Sequence, residues 1–100
     1  MHAALQYTYA DDYLTAREAL RPAHLALGWE AVERGELLLG GVLGDGPFDG
    51  LLIFQGDDAV GAAERFAAAD PYVAQGLVTA WTVREWKTAL GETATAPVRP

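Results

Sequence analysis

The chain has neither cysteine nor serine. Without cysteine there is no disulfide framework, no thiolate metal site and no cysteine nucleophile, and without serine there is no serine-based acyl transfer. Positive charge is also scarce: seven basic side chains stand against 14 acidic ones, for a formal net charge of −7. No cluster of Lys or Arg breaks that excess, so neither nucleic acid nor a membrane surface is an expected partner. A small anion can still meet a local arginine, Arg17 or Arg21. No stretch approaches the roughly 20 apolar residues that span a bilayer, and no basic-then-apolar leader opens the chain. With cysteine absent as well, the expectation is a soluble, cytoplasmic protein. No His, Asp and Glu cluster has metal-ligand spacing, and neither Gly40-Gly41 nor Gly44-Asp45-Gly46 leads into a lysine-bearing phosphate-loop helix, so no metal or cofactor is expected.

What is present fits one domain of 100 residues. Ala3 to Tyr9 alternates Leu5, Tyr7 and Tyr9 against Gln6 and Thr8, which predicts a strand. Asp11 or Asp12 can cap a helix over Tyr13 to Glu33 with Tyr13, Ala16, Leu20, Ala23, Leu27 and Ala31 inward, and Pro22 should kink that helix or divide it in two. Glu36 to Leu43 and Gly50 to Gly56 read as a hairpin about Gly44-Asp45-Gly46-Pro47. Asp57 or Asp58 then caps a helix through Ala69 with Ala59, Ala63, Phe66 and Ala67 inward, and Leu77 to Trp86 is the last strand. This order predicts an α+β, ferredoxin-like βαββαβ fold: a four-stranded antiparallel sheet with two helices on one face. In the last strand Leu77, Trp81 and Val83 fall on one side and Val78, Ala80 and Trp86 on the other. Both sheet faces are then apolar, which predicts a homodimer packed sheet on sheet, the alternative being a monomer whose tail folds back over the sheet. Residues 1–90 form the domain. Residues 91–100, with two prolines and no apolar period, form a tail expected to lie against the body or a neighbouring subunit through Leu90 or Val98.

Two segments carry the candidate chemistry, Arg21-Pro22-Ala23-His24-Leu25 and Asp70-Pro71-Tyr72-Val73-Ala74-Gln75-Gly76. A carboxylate closing a helix faces the negative end of the macrodipole, at a cost of roughly 0.3–1 kcal/mol when exposed, so something else must recommend Asp70. Pro71 favours a new turn that Asp70 caps through the N–H of Tyr72 or Val73, with Gly76 ending it. One carboxylate oxygen then remains free for a cleft. Helical spacing puts His24 between Leu20 and Leu27 and extends the Ala63, Phe66 stripe to Asp70. Each follows a capping aspartate, Asp12 or Asp58, by twelve positions, so both lie about 18 Å along parallel helices and share one depth. A carboxylate bonded to one imidazole nitrogen fixes the tautomer and leaves the other nitrogen to move a proton, as isomerisation, enol–keto transfer or elimination requires. The competing reading makes His24 a core histidine satisfied by a backbone carbonyl. Tyr7, Tyr9, Tyr72, Trp81 and Trp86 serve either as core and interface or as the wall of an aromatic-binding pocket.

These two segments, with Gly35-Glu36-Leu37-Leu38-Leu39-Gly40-Gly41 between them, closely resemble the YCII-related (YciI-like) family of the dimeric α/β-barrel superfamily, in register from about residue 5 to residue 87. One departure is Val42, where the family often has proline. The resemblance implies a ferredoxin-like protomer, a homodimer, and an active site centred on His24 and Asp70. The best-defined relatives eliminate chloride from chlorinated aromatic catabolites. The resulting expectation is an acid–base enzyme of lyase or isomerase type acting on a small aromatic or enolic metabolite. His24 and Asp70 would be catalytic, and Arg21, Tyr72 and Tyr7 substrate-binding. The alternatives are a non-catalytic metabolite-binding module and a ligand-free dimeric interaction domain.

Overall fold

The alternation of Leu5 and Tyr7 with Gln6 and Thr8 builds the inner strand β1, His2–Tyr9, of the computed structural model, which describes residues 1–100. Strands β2 (Leu37–Leu43), β3 (Asp49–Gln55) and β4 (Val78–Trp86) complete one sheet in the order β2-β3-β1-β4, with every neighbouring pair antiparallel. Four helices join the strands: α1 (Tyr13–Ala16), α2 (Arg21–Glu33), α3 (Ala59–Ala69) and α4 (Pro71–Ala74). This is the α+β, ferredoxin-like arrangement that the element order predicts.

Ala3, Leu5 and Tyr7 of β1 pack with Phe54 of β3 against Ala59, Ala63, Phe66 and Ala67 of α3, and all are buried. The small alanines let α3 lie close against β1, β3 and β4, whereas α2 packs on β2 and α4. Ala31 is the one buried residue of α2. Leu25, Trp29 and Val32 form a second apolar stripe at helical spacing, and Trp29 is 66% exposed. The space between α2 and β2 therefore stays open, and that opening positions the site.

Several local expectations are corrected. Residues 17–20 form turns, and Pro22 lies in the first turn of α2, where its missing N–H costs no helical bond. The helix is divided there, the second of the two outcomes expected of Pro22, whereas Ala23 is exposed instead of facing inward. Neither Asp12 nor Asp58 caps with its side chain. The Thr15 hydroxyl donates back to the Asp12 carbonyl at 3.0 Å, and the Asp58 carboxylate accepts from Arg65 at 3.1 Å.

Thr8 pairs with Ala80 but Tyr9 pairs with Val78, so Thr79 is an extra residue in β4. The resulting bulge breaks the two-residue alternation, and Val78 joins Leu77 in the core instead of facing the other way. In the tail, Leu90 and Val98 are 86% and 66% exposed, so neither anchors it to the body of this chain. Polar contacts tie that segment instead: Thr95 N–H to Thr88 Oγ1 at 2.8 Å, Val98 N–H to the Ala89 carbonyl at 2.9 Å, and Thr88 Oγ1 to His2 Nδ1 at 2.8 Å. No helix is long and apolar enough to cross a membrane.

Candidate active site

Pro71 forces Asp70 into extended backbone, φ −72° and ψ 122°, so α3 ends and α4 begins at this residue. As predicted, the Asp70 side chain caps α4: Oδ1 accepts the Tyr72 N–H at 3.0 Å, and Gly76 follows at φ 78°. The same carboxylate is fully buried, and it meets two more donors. The Tyr7 hydroxyl donates to Oδ2 at 2.7 Å, and His24 Nδ1 lies 2.9 Å from Oδ1 and 3.0 Å from Oδ2. A buried carboxylate is costly unless it is bonded in this way. Burial first, and then the charge and hydrogen bond of Asp70, raise the Tyr7 phenol far above its ordinary range, so Tyr7 remains a donor.

His24 enters from the first turn of α2, with its side chain 17% exposed. The pair therefore meets by a different route from the predicted equal depth along two helices. His24 stands at the start of its helix and Asp70 at the end of α3, because the first helical stretch breaks before Arg21. The imidazole stacks on Tyr72 with centroids 3.8 Å apart and planes 6° apart, and it meets Phe66 edge-on at 6.3 Å and 78°. With Nδ1 facing a carboxylate, the neutral ring carries its proton on Nδ1 and its lone pair on Nε2. Nε2 bonds to nothing within the chain.

His24 lines a cavity of about 480 Å³ between α2 and β2 whose walls are mostly apolar, including Leu25, Trp29, Leu52 and Phe66. Tyr9 and Tyr13 stack in the same wall, centroids 3.9 Å apart. The Arg17 guanidinium lies over the Tyr13 ring at 5.0 Å and donates to its hydroxyl at 3.1 Å. Burial, followed by Tyr13, raises the Tyr72 phenol, and Arg21 and Arg17 oppose that shift. No group of three or more His, Cys, Asp or Glu is placed to hold a metal ion.

Of the residues predicted to contact substrate, Arg21 and Tyr72 line the cavity. Tyr7 does not: at 1% exposure it lies behind the pair, with its hydroxyl committed to Asp70. Trp81 and Trp86 also lie outside the wall, and Trp86 tilts against His2 instead. Trp29 was missed, although its spacing from Leu25 and Val32 was visible in the sequence. Tyr13, which helical spacing places on the inward stripe, serves both core and wall.

Among solved structures, 5-chloro-2-hydroxyhydroquinone dehydrochlorinase (TftG) from Burkholderia phenoliruptrix AC1100, in complex with 2,5-dihydroxybenzoquinone, superposes with a TM-score of 0.72. The two are 24% identical over 89% of this chain and 96% of that one, a likeness that shows a shared fold. No curated protein sequence matches the chain significantly. The profile of the YCII-related domain matches residues 1–87, a span that runs from β1 through β4 and contains Tyr7, His24, Asp70 and Tyr72. By that match the chain belongs to the YCII-related domain family.

Proposed function

We propose that the protein is a small-molecule enzyme in which His24 Nε2 moves a proton on a substrate held between α2 and β2. The observation that carries this reading is the orientation of one ring: Nδ1 is bonded to buried Asp70, the ring face lies on Tyr72, and Nε2 is left without a partner in a cavity wall. As base, Nε2 takes a proton from a carbon beside a carbonyl or from a hydroxyl, and Asp70 stabilises the imidazolium that forms. The released electron pair then follows one of two courses. In isomerisation it makes an enolate that recovers the proton at another atom. In elimination it expels a leaving group as an anion, with net loss of acid. The aromatic wall suits a flat aromatic or enolic metabolite. The similar dehydrochlorinase, solved with a dihydroxybenzoquinone, supports the lyase form of the reading.

The functional unit in this proposal is a homodimer formed by residues 1–90 in the cytoplasm, with 91–100 as an appended tail. The support for a dimer is the helix-free sheet face, where Leu39 and Trp86 are 69% and 51% exposed. A second reading, a metabolite-binding module, uses the same cavity without turnover. Incubation with a panel of hydroxylated and chlorinated hydroxyaromatic compounds, followed by mass spectrometry with His24→Ala as the blank, tests both. Conversion by the native protein alone supports the enzyme. Equal conversion by the two proteins removes His24 from the chemistry, and ligand retained without conversion favours the binding module.

A further inference from the structure

Arg17 and Arg21 have no carboxylate partner in a chain with twice as many acidic as basic side chains. Arg34 and Arg65, away from the cavity, pair with Glu36 and Asp58. Arg17 and Arg21 instead line the cavity, and Arg17 Nε is shut off from solvent with no acceptor within the chain. A shielded donor without an acceptor is uncommon, and here it sits in the wall of an otherwise apolar space. Backbone bonds fix where the two guanidiniums start. Arg21 N–H bonds to the Arg17 carbonyl at 2.7 Å across the turns that precede α2, and His24 N–H bonds to the Leu20 carbonyl at 3.1 Å, so Arg17 stands one turn before Arg21 and His24 one turn after it. Within α2, Arg21 begins about 4.5 Å along the axis from His24, and Arg17 begins one turn further back. One substituted benzene ring bridges such an interval.

We infer that Arg17 and Arg21 form an anion-recognition subsite, so that the substrate is an aromatic or enolic acid whose carboxylate docks there while its reacting end faces His24 Nε2. The inference rests on the cavity being the substrate site. Arg17 donates to the Tyr13 hydroxyl and lies across its ring, which holds the guanidinium ready before any ligand arrives. The Arg21 side chain is exposed and has no hydrogen bond within the chain, so it is free to close on the second carboxylate oxygen. In a protein of formal charge −7, this local pair of cations is also what lets an anion approach the cavity.

Calorimetric titration with 4-hydroxybenzoate and its uncharged isostere 4-hydroxybenzamide tests the subsite without requiring turnover. The native protein should bind the acid at least about tenfold more tightly than the amide, and raised salt should erode the difference. Arg17→Gln with Arg21→Gln should abolish the preference. Arg21→Gln alone, at an exposed position with no partner to lose, should reduce it without affecting folding. His24→Gln should retain it, which separates this test from the proton-transfer reading: loss of turnover in that variant with the preference intact supports both. Equal binding of acid and amide, a preference that survives in the double variant, or no binding of the acid at millimolar concentration would overturn the subsite.

Discussion

His24 and Tyr72 lie face to face, 3.8 Å between ring centroids, and a single oxygen of Asp70 bonds both residues. Oδ1 accepts the Tyr72 backbone N–H at 3.0 Å and stands 2.9 Å from His24 Nδ1. Helix cap and imidazole anchor are therefore one group. Pro71, which forces the break between α3 and α4, sets the orientation of the ring.

Removing either end of the pair should have different consequences. His24→Gln should abolish turnover yet cost less than about 1.5 kcal/mol, since the ring is partly solvated and Tyr7 and Tyr72 still satisfy the carboxylate. Asp70→Asn should cost about 1–3 kcal/mol, because a buried amide presents donors where three donors already point. Denaturant unfolding of both variants gives the comparison. ¹⁵N spectra of the ring should show Nδ1–H in the native protein and a tautomer mixture in Asp70→Asn. Equal destabilisation, with unchanged ring spectra, would make His24 an ordinary core residue.

Alkaline conditions should weaken the fold through the buried phenols. Burial, with Asp70 second, raises Tyr7, and burial, with Tyr13 second, raises Tyr9, both well above the ordinary tyrosine value of about 10. The native state then holds these protons more tightly than the unfolded chain. Their contribution is complete below about pH 10 and is lost as pH rises beyond it. Unfolding free energy measured from pH 8 to 12 should fall over the upper half of that range, and less steeply in Tyr7→Phe. A single ionisation midpoint near pH 10 for all four tyrosines, with the fold intact, would contradict this.

Gly50 faces Tyr7 across the β1–β3 ladder, where a Cβ would lie 2.9 Å from Tyr7 Cβ and closer still to the Tyr9 hydroxyl. Gly50→Ala should displace Tyr9 from its stack on Tyr13 and cost about 1–3 kcal/mol. Gly41→Ala, whose Cβ would meet nothing within 4 Å, should change stability by less than about 0.5 kcal/mol. Thermal or chemical unfolding of the two variants checks the contrast, and equal effects would mean that the close approach at Gly50 relaxes freely.

The helix-free sheet face should make the protein a dimer at micromolar concentration. Leu51 and Ile53 line that face beside Arg84 and Glu85, so Leu51→Lys should shift sedimentation toward monomer. Deleting residues 91–100 should also weaken assembly if the tail reaches a neighbouring subunit. A native protein that sediments as a monomer removes the sheet-on-sheet arrangement.

Much was legible from spacing alone. The strand and helix order, the inward face of α3 and the cap at Asp70 depend on residues within about four positions of one another, the range over which side-chain period and proline geometry act. Proline geometry also foretold the division of the first helix near Pro22, but the helical period continues across residues 17–20, which form turns. The same local rules missed the bulge at Thr79, because one inserted residue reverses every later side-chain direction.

The sequence by itself determined that an aspartate before a proline would end one helix and start another, and it supplied a histidine at helical spacing between Leu20 and Leu27. Only tertiary structure decided that Tyr7 turns its hydroxyl to Asp70 from 63 positions away and that His24 meets the same carboxylate across 46. It also decided that Trp29 and the arginines surround an open cavity between α2 and β2. The physical reason is range. Local periodicity records which face of a helix is apolar, whereas the cavity between α2 and β2 depends on how segments far apart in the chain pack together, a property that no single segment carries.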